Sequence, residues 1–158
     1  MFSSSIHKYD IRTVKGHLSD ASRQSRKVPY KIYYPRTDNK EKFPLIIWSH
    51  GLGGSRDGAS FLSRFIASHG YVVLHITHIG TDTSIWEGKA GHPWDVIRAT
   101  KISRKATLNR FKDVPFILDN LKQLEVIELI DEMKVGMCGH SFGAITTQVL
   151  SGQMLGKG

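Results

Sequence analysis

At 158 residues, with 40% apolar and 23% charged residues, the chain has the size and composition of one globular domain with its own core. Its single cysteine, Cys138, excludes an internal disulfide framework and suits a reducing compartment. An excess of 22 Lys and Arg over 14 Asp and Glu gives a formal charge of +8, but no nucleic-acid-binding motif accompanies it. Met1-Phe2-Ser3-Ser4-Ser5-Ile6-His7-Lys8 lacks the continuous apolar stretch of a secretory leader. No later segment is long and apolar enough to span a bilayer, so cytoplasmic residence is the expectation.

In chain order, residues 9–14 and 28–34 read as two leading strands, with the polar stretch 16–27 as a loop between them and 35–42 as a charged turn. The apolar run Leu45-Ile46-Ile47-Trp48 predicts a buried strand. Phe61, Leu62, Phe65 and Ile66 recur at helical spacing on a segment closed by Gly70, and residues 71–76 form the next strand. Residues 80–94 hold three glycines, Trp86 and Trp94, and predict a long irregular excursion near a cleft. Phe111, Val114, Ile117, Leu118 and Leu121 predict an amphipathic helix, with Pro115 near its start or at a kink. Residues 135–138 form a last strand and 144–150 a last helix. No repeat, linker or low-complexity tract divides the chain. The alternation predicts an α/β fold, a mainly parallel sheet flanked by helices.

Two motifs carry chemistry. Gly139-His140-Ser141-Phe142-Gly143 lies between a strand and a helix, the context of a nucleophile elbow: a sharp turn lifts the serine hydroxyl into a cleft, and small neighbours avoid collision with the adjacent elements. His50-Gly51-Leu52-Gly53-Gly54 follows the strand at 45–48. Acyl transfer needs preorganised backbone N–H groups where an oxygen becomes negative, and glycines let such a loop approach substrate. The donors expected are the N–H groups of Phe142, directly after the nucleophile Ser141, and of Leu52 in the glycine loop.

The stretches Phe43-Pro44-Leu45-Ile46-Ile47-Trp48-Ser49-His50-Gly51-Leu52-Gly53-Gly54-Ser55-Arg56, Ala67-Ser68-His69-Gly70-Tyr71-Val72-Val73 and Gly139-His140-Ser141-Phe142-Gly143-Ala144 resemble the platelet-activating-factor acetylhydrolase and dienelactone-hydrolase-like branch of the α/β-hydrolases. The resemblance covers roughly residues 28–153. It implies the α/β-hydrolase fold and carboxyl-ester hydrolysis of a small-molecule substrate without a cofactor, by a serine followed in the chain by an aspartate and a histidine. True dienelactone hydrolases use cysteine, so Ser141 speaks against that particular activity. The chain departs from the family in ending at Gly158, little more than one helix after Ser141, and no residue in it is assignable as the family's acid or base. Residues 1–158 therefore read as the N-terminal part of a single α/β-hydrolase domain, truncated after the elbow helix. A serine without a base is a weak nucleophile, so this piece by itself is expected to be inactive.

Other residues read as structural. His75 and His78 fall on opposite faces around a strand end, and His69 and His92 have no ligand-spaced partners, so no metal site is expected. For His50 and His140, which belong to the two motifs, the resemblance implies loop-shaping and packing rather than proton transfer. Trp86 and Trp94 line a pocket or anchor the long loop, and Asp82 and Asp95 hydrogen-bond turns there. Arg98, Lys101, Arg104, Lys105, Arg110 and Lys112 form a basic stretch without an intervening acid, read as a solvated helix face. Three readings follow: a serine ester hydrolase; a catalytically silent binding or interaction module on the same scaffold; and a basic nucleic-acid or membrane-surface binder. The first is preferred. No nucleic-acid partner is expected; contact with a lipid surface and the oligomeric state stay open.

Overall fold

The computed structural model describes residues 8–152. The leader reading of residues 1–7 and the last position of the family resemblance, Gln153, lie outside the described residues. Strand β1 (Ile11–Asp20) pairs antiparallel with β2 (Arg26–Pro35), Ile11 opposite Pro35 and Asp20 opposite Arg26. The stretch 16–27, expected to be a loop, is the closed end of this hairpin, turned by a single 3-10 turn over Ala21–Arg23. Its polarity is that of an exposed strand: β1 buries only Leu18 and Asp20. The Asp20 carboxylate fixes the turn by accepting hydrogen bonds from the Ser22 N–H at 3.0 Å and its hydroxyl at 2.6 Å.

The sheet continues with β4 (Val72–Ile76), β3 (Phe43–Ser49) and β5 (Ile130–Gly139), in the order β1-β2-β4-β3-β5. β2 and β4 are antiparallel, whereas β4, β3 and β5 run parallel. Every residue of β4 is buried, the apolar Val72, Val73, Leu74 and Ile76 and the polar His75 alike. Among the described residues β5 pairs along one edge only, leaving Met133 90% exposed.

Helix α1 (Ser60–Ser68) covers one face of the sheet, with Ala67 packed against Tyr33 and Val73. The residues whose spacing predicts this helix turn largely outward: Phe61 is 87% exposed, Leu62 43% and Phe65 55%. The small residues Ser63 and Ala67 face the sheet instead, and Ser63 Oγ lies 2.5 Å from His75 Nε2. Close packing of helix on sheet selects the small side chains at this contact, and the helical period is right while the buried face is not. Gly70, at φ 92°, ends the segment in the left-handed region.

The other face holds the main core, where Leu45, Ile47, Leu74 and Ile76 meet Val114 and Ile117 of α3 (Arg104–Asp119). α3 begins well before Phe111, because the Ser103 hydroxyl caps it by accepting the Ala106 N–H at 3.1 Å. Pro115 lies inside the helix rather than near its start. α2 (Pro93–Ala99) forms within the region expected to be irregular, so Trp94 is helical. Helix α4 (Phe142–Leu150) follows β5 after a tight turn and packs on β5 and β3. No helix among the described residues is long and apolar enough to cross a membrane.

Candidate active site

Parallel pairing aligns Ser49, the last residue of β3, with Gly139, the last of β5. The loops bearing Leu52 and Ser141 therefore leave neighbouring strands at the same level, at the carboxyl end of the parallel sheet, where ligands bind in open α/β folds. The loops touch: a Cβ on Gly51 would lie 3.4 Å from Ser141 Cβ and 3.2 Å from the His140 carbonyl. At Gly139 and Gly143 an added Cβ would overlap backbone, of Gly143 and of Ser49 respectively. Ser141 stands at φ 55°, ψ −116°, a strained conformation for a residue with a side chain. It is exposed, and its carbonyl accepts the N–H groups of Ala144 at 2.9 Å and Ile145 at 3.2 Å. Among the described residues neither the Phe142 nor the Leu52 N–H donates to another protein group.

The Leu52 loop is tied down from beneath. His50 Nε2 accepts the His78 N–H at 2.9 Å, which leaves the proton on Nδ1 to donate to the Gly51 carbonyl at 2.6 Å. Burial, together with the nearby His78 and Arg110, pushes the His50 pKa down to about 3, so the ring is neutral and both nitrogens are engaged. Gly53, at φ 79°, donates its N–H to the Thr81 carbonyl at 2.9 Å and accepts the Trp86 indole N–H at 2.7 Å.

Below both loops lies a buried polar layer that the sequence reading missed. His78 Nδ1 donates to Asp113 Oδ2 at 3.1 Å, so its Nε2 accepts from the Ser49 hydroxyl at 2.8 Å. Burial lowers the His78 pKa to about 4, against the raising effect of Asp113. Ser49, His78 and Asp113 repeat the connectivity of a serine triad, yet all three are fully buried and no substrate reaches them. Asp113 also takes Arg26 as a fork, at 2.9 and 2.8 Å, and Arg23 at 2.8 Å. Burial would raise its pKa, but the hydrogen bonds from Arg26 and His78 and the charge of Arg26 outweigh that and hold it below the usual carboxylate range.

Arg110, read from sequence as part of a solvated basic face, is fully buried; the other members of that stretch are exposed. Its spacing held the signal. Arg110, Asp113, Val114 and Ile117 fall at i, i+3, i+4 and i+7, one stripe of α3.

The two loops and α2 enclose a cleft of about 810 Å³ whose lining includes His50, Leu52, His140 and Ser141, with Trp86, Trp94 and Ile97 among its apolar walls. Trp86 and Trp94 thus both line it. Asp82 hydrogen-bonds its turn as expected, accepting from the Gly80 N–H at 3.2 Å and the Ser84 hydroxyl at 2.6 Å. Asp95 instead lies in the first turn of α2, 3.9 Å from Arg98. His75 and His78 point to opposite faces, toward Ser63 and Ser49. The Cys138 thiol is half-buried, and burial pushes its pKa up. Among the described residues no group of three His, Cys, Asp or Glu is placed to hold a metal.

The sheet order, the tight turn at Ser141 and the adjoining glycine loop define the α/β-hydrolase fold. A ferulic acid esterase from Streptomyces cinnamoneus superposes with a TM-score of 0.71 over 94% of this chain and 56% of its own, at 22% identity. The family model for platelet-activating factor acetylhydrolase, isoform II, matches residues 11–87. Platelet-activating factor acetylhydrolases of Canis lupus familiaris and Bos taurus are 30% and 31% identical over 146 and 144 residues, in each case 70% of this chain. The chain is thus similar in sequence to platelet-activating factor acetylhydrolases and shares the fold of the esterase. It spans 32% of the length of each of these two relatives.

Proposed function

We propose that residues 1–158 are the N-terminal part of one α/β-hydrolase domain and carry the nucleophile and oxyanion hole of a serine carboxyl-ester hydrolase. Ser141 Oγ attacks the ester carbonyl and gives up its proton to a base. The Leu52 and Phe142 N–H groups hold the resulting oxyanion, and the C–O bond to the alcohol breaks as the alcohol takes up a proton. Water then attacks the acyl-serine and releases the acid. The observation that supports this reading best is the strained, exposed Ser141 beside two N–H groups without protein partners. His50 is unsuited as base because both its ring nitrogens are engaged. We assign the base and its acid to sequence beyond residue 158, in the serine, acid, histidine order of this fold.

The names of the relatives direct the substrate proposal toward acetyl esters of phospholipid-like alcohols, with Trp86, Trp94 and Ile97 receiving an apolar portion. A fluorophosphonate probe tests the mechanism: it is expected to label Ser141 in the protein containing this chain and to spare Ser141→Ala. Absence of labelling in folded protein would overturn the proposal and favour a silent binding module. The 158-residue chain alone is expected to show negligible p-nitrophenyl acetate turnover. Turnover abolished by Ser141→Ala would place the base within these residues.

A further inference from the structure

The oxyanion donors sit on separate loops, Leu52 after β3 and Phe142 at the start of α4, and a hole works only if both N–H groups address one point. We infer that Arg110 is a positioning residue that fixes these two loops against each other, an inference that rests on the proposed roles of Ser141, Leu52 and Phe142. Its guanidinium reaches both. On the α4 side, Nε donates to Thr146 Oγ1 at 2.9 Å, and that hydroxyl donates to the Phe142 carbonyl at 2.9 Å. The same guanidinium lies 4.5 Å from the centre of the Phe142 ring.

On the other side, Nη2 donates to the His50 carbonyl and to Ser49 Oγ, the latter at 3.2 Å. Nη1 donates to Thr81 Oγ1 at 2.9 Å, and the Thr81 carbonyl holds the Gly53 N–H next to Leu52. A buried cation is costly, and an apolar side chain of similar volume would fill the same space more cheaply. What an apolar chain cannot supply is a rigid planar fork of donors that grips β3, the segment after β4 and α4 at once. Burial lowers the Arg110 pKa to about 10, which leaves it charged at neutral pH.

The test uses the full-length enzyme containing this chain, with Arg110→Lys and Thr146→Val. Lysine keeps the charge without the fork, and valine removes only the hydroxyl that links Arg110 to the Phe142 carbonyl. For p-nitrophenyl acetate we expect kcat to fall about tenfold or more in Arg110→Lys and severalfold in Thr146→Val, with KM within about twofold. Affinity for a trifluoromethyl ketone, whose hemiketal oxyanion needs the same donors, should fall in step with kcat/KM. A merely structural arginine would lower the melting temperature and leave this affinity unchanged in the folded protein. Folded Arg110→Lys with wild-type kcat overturns the inference. Should Arg110→Lys not fold, a folded Thr146→Val with wild-type kcat and inhibitor affinity overturns it equally. If wild-type enzyme is not labelled at Ser141 by fluorophosphonate, the functional proposal itself fails and this inference falls with it.

Discussion

Gly143 packs directly against the carbonyl of Ser49, with no space for a Cβ between them. The contact seats the start of α4 on the end of β3, beside the loop that carries Leu52. Backbone on both sides cannot yield as a flexible side chain would. Gly143→Ala should therefore cost about 1–3 kcal/mol of stability in urea denaturation, through overpacking. It should also slow fluorophosphonate labelling of Ser141. A change in stability below about 0.5 kcal/mol would show that the elbow has more room than this contact implies.

Stability should fall on mild acidification. His50, His75 and His78 have pKa values lowered by burial to about 3, 4 and 4, below the roughly 6.5 of an unfolded histidine. The unfolded chain thus binds more protons than the folded one between about pH 6.5 and 4, and the stability supplied by these neutral rings is present above that window and lost through it. Asp113 acts lower: its depressed pKa contributes stability above about pH 4 that is lost as pH falls through the folded value. Denaturation midpoints measured from pH 7.5 to 4.5 should drop steadily, with proton uptake on unfolding approaching three per molecule near pH 5. A flat profile across that range would contradict neutral burial of these rings.

Removing the Asp113 charge should do more damage than removing either of its arginines. Asp113→Asn leaves Arg23 and Arg26 facing a neutral amide in a buried layer, for an expected loss of about 3–5 kcal/mol. In Arg23→Gln the Asp113 carboxylate keeps the Arg26 fork and His78 as partners, so that variant should cost less. Thermal melts of the two variants check the order, and equal losses would argue against Asp113 as the hub.

Much of this architecture is legible from local signals. β4 appears as a mainly apolar stretch because the sheet is covered on both faces there, and the elbow and glycine loop appear because close backbone approaches demand small residues at Gly51, Gly139 and Gly143. What escapes are features set by partners distant in sequence. The hairpin through residues 16–27 is polar because β1 is mostly exposed, so burial periodicity does not mark it. On α1 Phe61, Leu62 and Phe65 lie outside while Ser63 and Ala67 lie inside, because contact with His75 and Val73 rewards small volume over hydrophobicity. Arg110 reads as solvated because its acceptors come from three other elements, at Ser49, Thr81 and Thr146.

The cleft wall offers the sharpest separation of binding from chemistry. Trp86 both lines the cleft and donates its indole N–H to the Gly53 carbonyl, one residue from Leu52, whereas Trp94 lines the cleft while 59% exposed. Trp86→Phe keeps an aromatic wall and deletes the hydrogen bond, so kcat for p-nitrophenyl acetate should fall about three- to tenfold as the loop loosens, worth about 1 kcal/mol. Trp94→Ala removes apolar surface that makes no hydrogen bond to the loop, so KM for a longer acyl ester should rise about three- to tenfold while kcat for the acetyl ester holds. Both follow from where each indole is anchored. If Trp86→Phe changed only KM, the Gly53 hydrogen bond would have no part in holding the Leu52 N–H; if Trp94→Ala changed only kcat, the α2 wall would not be a binding surface.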